Sequence, residues 1–354
     1  MKVLYSISLL FLAHLVLSCT ESANDNVVKI HTSQKKNAKN LELEDVPVKN
    51  VLEFAENCFV YDDILVVQNY KESNRHLLEF IDLRTMNTVK QAIMRGNGPG
   101  ELIQINVFNS KDYLLVDGVS NHKYAKINVS DFINGETDKI VYKDYNFQTQ
   151  RKYLFNDSLF LVVNPYRFIN KKLNIEQDDP RFLLLSETDK IKRNGRLSAI
   201  NINTGGIMVN HCNQKICYYS KGVPEIEIYD FDLNLIKTIK GPDKIEPEYA
   251  IASDILINYL AKAPTTYTCA CFDDTYMYLA YEGRFIDAAE VLRNSGKIDN
   301  SDTWIFIIDW DGKVRDSYKV DKNNKIKSMS ITKRGELYLC CEVDGITKLF
   351  KAHW

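Results

Sequence analysis

The sequence predicts an all-β fold, a six-bladed β-propeller whose blades are four-stranded antiparallel sheets. One unit recurs six times along the chain: a short apolar strand, a polar turn and a stronger apolar strand. The six turns fall near residues 62, 110, 156, 213, 273 and 334, with separations of 46 to 61 residues, the range of propeller blades. Strand and helix patterns do not alternate, so a two-domain α/β fold is not predicted.

Residues 1–18 have the features of a secretory signal. Lys2 precedes an uncharged apolar run, and Ser18 stands directly before Cys19. The run is too short for a spanning helix. The ending at residues 16–19 resembles a bacterial lipobox, so Cys19 is the predicted lipidation site; an ordinary cleaved signal is the alternative. Acyl chains on Cys19 would be the only membrane contact. The expected location is the outer membrane of the cell envelope, on its periplasmic side or at the cell surface.

Residues 19–45 are rich in Ser, Asn, Lys and Asp and are predicted to be a polar tether. The propeller is predicted over residues 46–354. A second hairpin follows each of the first five units, but the sixth has only one further strand, at residues 346–350. A closed ring then needs an outer strand from the N-terminal segment, and residues 27–30 or 41–46 could supply it. Helix-like inserts are predicted at residues 249–261 and 286–293.

Composition excludes one class of partner. The chain has 45 Lys and Arg against 47 Asp and Glu, a formal net charge of -2. This near-neutral balance gives no reason to expect nucleic-acid binding.

Residues 95–101, with the sequence RGNGPGE, form a shaped loop because glycine and proline fix a bend. The lipobox, the six-fold pattern and this glycine loop together resemble those of Bacteroidetes lipoproteins with a TolB-like six-bladed β-propeller. The resemblance implies an exported lipoprotein and favours binding over catalysis. It brings no catalytic residues to this chain.

The loop also indicates which face of the ring to search. It links blades 1 and 2, so it shares a face with the loops between second and third strands. Cationic and aromatic residues on that face suit anionic ligands, sugars or protein partners. The predicted ligand-binding residues are Tyr70, Arg95, Glu101, Tyr166, Arg167 and Arg284. The alternative is that these are solvated loop residues.

Other chemistry is not predicted. The glycine loop is not followed by the helix that a phosphate site needs. The acids at residues 309–312 begin a calcium loop but do not complete it. There is no Cys-x-x-Cys pair for zinc, and we expect neither metal nor cofactor. Cys212 and Cys217 flank a short turn, which makes a disulfide between them possible in an oxidising compartment.

The sequence therefore predicts a monomeric, lipid-anchored binding module for a partner protein or an envelope glycan. One alternative is a carbohydrate-active hydrolase or lyase with carboxylates in the central channel. The other is a purely structural envelope lipoprotein.

Overall fold

The computed structural model describes residues 26–48, 52, 55–70, 75–98, 100–110, 113–118, 122–136, 140–147, 152–156, 158–163, 169–170, 175–176, 181–190, 205–246, 249–253, 256–259, 262–287 and 301–354. Six small, mainly antiparallel sheets form a ring. The predicted six-bladed β-propeller is confirmed, with three to five strands in each blade. No helix in these ranges is long and apolar enough to cross a membrane.

The elements follow in chain order. The N-terminal segment has β1 (Val27–Lys29), α1 (Thr32–Lys36), β2 (Lys39–Asn40) and β3 (Glu42–Val46). Blade 1 has β4 (Ala55–Tyr61), β5 (Ile64–Asn69), β6 (His76–Asp82), β7 (Asn87–Arg95) and β8 (Glu101–Leu102). Blade 2 has β9 (Ile105–Asn109), β10 (Tyr113–Gly118), β11 (Lys123–Asn128), α2 (Val129–Asn134) and β12 (Lys143–Asp144).

Blade 3 has β13 (Lys152–Leu154), β14 (Leu159–Val163) and β17 (Phe182–Ser186), with a separate small hairpin of β15 (Ile169–Asn170) and β16 (Ile175–Glu176). Blade 4 has β18 (Gly205–Asn210), β19 (Lys215–Ser220), β20 (Glu225–Asp230) and β21 (Leu235–Lys240). A hairpin of β22 (Tyr249–Ser253) and β23 (Leu256–Tyr259) leads to blade 5. Blade 5 has β24 (Lys262–Phe272), β25 (Tyr276–Asp287), β26 (Thr303–Asp309) and β27 (Val314–Val320), and blade 6 has β28 (Lys325–Ile331), β29 (Leu337–Val343) and β30 (Ile346–His353).

All six predicted repeat units are the first hairpins of the six blades. Successive side chains of a strand point to opposite faces of the sheet. The side chains of each second strand therefore pack alternately against the preceding and the following blade. In β5, Leu65 and Val67 pack toward blade 6, whereas Val66 packs toward blade 2. Six buried clusters result, one between each pair of adjacent blades.

The N-terminal segment closes the ring. β3 pairs antiparallel with β30 and completes blade 6, so residues 41–46 supply the predicted closing strand. β1 instead pairs in parallel with β21 of blade 4, and β2 with β27 of blade 5. Residues 26–46 therefore cover the outer edges of three blades. Residues 26–45, which belong to the predicted tether, therefore lie along the propeller. Sheet edges can hold such a polar segment because they offer backbone hydrogen bonds to polar as well as apolar residues.

Two helix predictions need correction. Residues 249–261 contain the hairpin β22–β23 instead of a helix, with Ile251 opposite Ile257; their β-branched isoleucines favour a strand. In the second insert, residues 286 and 287 belong to β25 and the remainder lies outside the described residues. A helix is found between the third and fourth strands of blade 2: α2, capped by Asn128, whose side chain accepts a hydrogen bond from the Asp131 amide at 3.2 Å.

Candidate functional site

The innermost strands of the blades surround a central channel. Each of them, β4, β9, β13, β18, β24 and β28, begins on the face that carries the links between blades. On that face the channel holds a cavity of about 390 Å³ lined by all six strands. Toward the opposite face the channel holds a smaller cavity of about 50 Å³. The wide end therefore lies on the face that the sequence predicts.

We call the polar lining of the wide end the polar mouth. Its members lie in the innermost strands, at the end of β5 and just after β19. They are Glu56, Asn57, Gln68, Asn106, Lys152, Lys221, Thr268, Lys327 and Ser328.

Three neighbouring blades present their side chains through β-bulges. In β4 the register skips Glu56, in β24 it skips Thr268, and in β28 it skips Lys327. A bulge inserts one unpaired residue and re-aims its side chain. All three skipped residues line the cavity. Blades 5, 6 and 1 therefore direct a hydroxyl, an ammonium and a carboxylate into the channel by the same local device.

Glu56 is held by its neighbours. The Gln68 amide nitrogen, Nε2, donates to Glu56 Oε2 at 2.7 Å and to the carbonyl of Ile105 at 3.0 Å. Partial burial raises the pKa of Glu56 above its usual value, and a hydrogen bond with Tyr70 and the charge of Lys327 oppose that shift. Burial likewise raises the pKa of the Tyr70 hydroxyl. Tyr70, predicted from the sequence, thus supports the polar mouth through Glu56.

Two lysines of the mouth have different roles. Lys152 is 1% exposed and lies 2.8 Å from Asp117 Oδ1; its ammonium also donates to the Tyr145 hydroxyl at 2.6 Å. Burial lowers the pKa of Lys152, and Asp117 opposes the shift. Lys327 donates to the carbonyl of Ala55 at 2.5 Å and to Thr347 Oγ1 at 3.3 Å. An ammonium has three donors, so these two bonds leave Lys327 a further hydrogen to share in the channel.

An aromatic ring forms the boundary between the wide and narrow parts. Tyr219 borders both spaces. A Cβ at Gly206 would lie 2.2 Å from the Tyr219 Cζ and hydroxyl oxygen, a distance that atoms do not tolerate. Glycine at this position of β18 therefore lets the tyrosine ring lie against the channel wall.

The described lining differs from two kinds of catalytic site. Glu56 is the sole carboxylate among the described residues that line the cavity, whereas glycosidases generally use two. No group of three or more His, Cys, Asp or Glu within the described part of the chain could hold a metal ion. Asp309 in the predicted turn is already engaged by Arg315 at 2.6 Å and by two backbone amides.

The described hydrogen bonds of the glycine loop, residues 95–101, stabilise the loop and its contact with β5. Glu101 Oε2 accepts a hydrogen bond from the Gly98 amide at 2.9 Å, and a Cβ at Gly96 would lie 2.0 Å from the same oxygen. Arg95 donates to the carbonyl of Asn69 at 3.4 Å, beside the polar mouth. The loop is the link between blades 1 and 2, as predicted, and Glu101 closes it.

The other predicted residues lie elsewhere. Arg284 on β25 forms an ion pair with Glu282 at 2.9 Å. Tyr166, Arg167 and Cys19 lie outside the described residues. Cys212 is exposed in the turn between β18 and β19, whereas Cys217 is buried opposite Met208. These two cysteines are not disulfide-bonded, because the turn begins earlier than predicted and does not place them opposite one another.

Comparison with known proteins supports the architecture. No protein-family model and no curated protein matches the chain. A solved member of the DUF4221 family from Bacteroides vulgatus superimposes with a TM-score of 0.58 at 14% identity, covering 89% of this chain and 98% of that one. A protein from Bacteroides fragilis described as exported gives 0.50 at 13% identity, covering 92% and 98%. At such identities the likeness shows the fold alone.

Sequence reasoning missed Glu56, Thr268 and Lys327. Each stands five to seven residues before the polar turn of its repeat unit, an offset that marks the channel end of an innermost strand. Polar residues at that offset in a strand that is otherwise apolar were the available signal.

Proposed function

We propose that the chain is a non-catalytic binding module that takes the end of an acidic envelope glycan into the polar mouth. The observation that carries this proposal is the cavity of about 390 Å³ at the wide end of the channel. Small-molecule pockets generally have volumes of about 300–1,000 Å³. A partner protein would instead need a broad surface of about 800 Å², so a concave cavity favours the glycan.

Charge favours an acidic sugar. Three lysines and one glutamate line the cavity, and Asp117 neutralises Lys152 from behind. Lys327 adds a positive charge with a further hydrogen to share in the channel. A carboxylate held by an ammonium makes a charge-assisted hydrogen bond, stronger than a neutral one. Lys327 is the proposed partner of the sugar carboxylate.

Neutral groups fit the remainder of a sugar. The amides of Asn57, Gln68 and Asn106 offer both donors and acceptors to hydroxyl groups. The ring of Tyr219 offers an apolar surface at the floor of the cavity, where Gly206 makes room for it. Aromatic side chains combine such a surface with a polar tip. The polar mouth thus matches the mixed surface of a carbohydrate.

We further propose that the chain is exported and attached to the outer membrane by lipid on Cys19. The signal at residues 1–18 supports export, and the fold is shared with a protein described as exported. An envelope location would bring the polar mouth within reach of envelope glycans.

Calorimetric titration with digalacturonate, using neutral cellobiose as the matched probe, tests the binding proposal. Full-length protein carrying Cys19→Ala should bind digalacturonate and bind cellobiose at least tenfold more weakly. Lys327→Gln should weaken digalacturonate binding about ten- to a hundredfold, because a hydrogen bond to a charged group contributes about 1.5–3 kcal/mol. Lys313→Gln is the control, since Lys313 is exposed in a turn on the opposite face. Equal affinity of the two variants, or no binding of either sugar, would contradict the proposal.

A further inference from the structure

Two buried cysteines meet where the ring closes. Cys58 on β4 of blade 1 is 2% exposed, and Cys340 on β29 of blade 6 is 1% exposed. Both belong to the cluster between the last blade and the first. Each thiol shifts the pKa of the other. Cysteines from the two ends of the propeller thus lie in the same buried cluster.

Ser328 fixes the two strands that carry these cysteines. It lies opposite Cys340 in the pairing of β28 with β29. Its hydroxyl donates to the carbonyl of Cys58 at 2.9 Å and accepts from the Cys58 amide at 3.2 Å. One serine therefore touches the backbone of one cysteine and pairs with the other, which holds the two at a set separation.

The two thiols have unequal environments. The Cys58 thiol, together with the nearby ammonium of Lys327, lowers the pKa of the Cys340 thiol. Burial raises the pKa of the Cys58 thiol. Because the thiolate is the nucleophile in disulfide exchange, Cys340 is the member of the pair suited to attack first.

We infer that Cys58 and Cys340 form a disulfide that joins blade 6 to blade 1 and closes the ring covalently. Both cysteines are free in the structure. The Cys340 thiolate attacks an external disulfide, either of an oxidoreductase or of oxidised glutathione, and expels one thiolate. Cys58 loses its proton, and its sulfur attacks the mixed disulfide at Cys340 and expels the second. Two electrons and two protons pass to the external disulfide, which becomes two thiols.

The burial of the two thiols determines at which stage of folding the disulfide can form. An external disulfide cannot reach thiols that are 1–2% exposed, so exchange occurs while blade 6 docks and before β3 completes it. Cys341 offers a matched control on the same strand. Its side chain packs in the other direction, with Cys271 between blades 5 and 6, because neighbouring residues of a strand point to opposite faces.

The test uses full-length protein with Cys19→Ala, refolded in a glutathione redox buffer. Seven cysteines remain, so one disulfide leaves five thiols that react after denaturation. Peptide mapping without reduction should link the peptide containing Cys58 to that containing Cys340. The oxidised protein should melt about 10 °C above the reduced protein, as expected for a crosslink that closes a very long loop.

Variants identify the pair. Cys58→Ser and Cys340→Ser should each abolish the link and the difference in melting temperature between oxidised and reduced protein, whereas Cys341→Ser should retain both. Seven reactive thiols after oxidative refolding would overturn the inference, even if a variant failed to fold. So would a link that survives in Cys340→Ser.

Discussion

Replacing Lys152 with methionine should destabilise the protein strongly. The lysine and Asp117 are 1% and 5% exposed, with Nζ and Oδ1 2.8 Å apart. Methionine has a similar length but no charge, so Asp117 would stay buried with the Tyr145 hydroxyl, which donates to it at 2.8 Å. Removing one partner of a buried ion pair costs about 3–5 kcal/mol, a large fraction of a stability of roughly 5–15 kcal/mol.

The assay is urea unfolding followed by tryptophan fluorescence, for wild type, Lys152→Met, Asp117→Asn and the double variant. Asp117→Asn keeps the shape and removes the negative charge. The double variant should therefore be more stable than Lys152→Met alone, because no uncompensated charge is left buried. The reasoning would be refuted if Lys152→Met cost less than about 1 kcal/mol, or if the two single costs simply added.

Three further predictions concern other parts of the chain. Gly96→Ala should cost about 2–3 kcal/mol in urea unfolding, because the new Cβ displaces Glu101 from the Gly98 amide and alanine is strained at the φ of 159° found there. The same change in a Glu101→Ala background should cost about 1 kcal/mol less, since only the backbone strain remains, and additive costs would disprove the link to Glu101. The Arg84 guanidinium, hydrogen-bonded to Asp82, lowers the pKa of that carboxyl to about 2, so an NMR titration should find that value. The stabilisation that Asp82 gives over Asp82→Asn should be complete above about pH 4 and vanish as the pH falls to about 2; a pH-independent difference would contradict this. Lys35→Ala should cost about 1–2 kcal/mol, since Lys35 lies 2.7 Å from Asp243 Oδ2 and 4.1 Å from the Trp304 ring centre; exposed Lys36→Ala is the control, and equal costs for the two would be the negative result.

The repeating hairpins could be predicted because they are local. Each unit carries its own alternation of apolar residues and its own polar turn, so counting turns is enough to count blades. The closing strand needed more than pattern. Residues 27–30 and 41–46 both have strand character, and only the three-dimensional pairing assigns the first to blade 4 and the second to blade 6.

The sequence predicts the face of the ring on which the polar mouth lies, but most of the side chains that line it were not predicted. The position of the glycine loop between blades 1 and 2 indicates the end of the channel that holds the larger cavity. The side chains that reach the cavity depend on bulges at Glu56, Thr268 and Lys327, and a bulge arises from pairing with a partner strand rather than from the strand alone. Arg95 and Glu101 are conspicuous in the sequence, yet their described bonds hold the loop and the end of β5.

The most direct test of the polar mouth as the binding site is to fill its cavity with a larger side chain. Asn106 lies on β9, is exposed and lines the cavity, so Asn106→Trp should occupy the space without disturbing the core. Val89→Trp is the control, at a position 42% exposed on β7. In calorimetric titrations with digalacturonate, we expect binding by wild type and Val89→Trp and none by Asn106→Trp at an unchanged melting temperature. Undiminished binding by Asn106→Trp would contradict the central claim, because the ligand would then be held outside the channel.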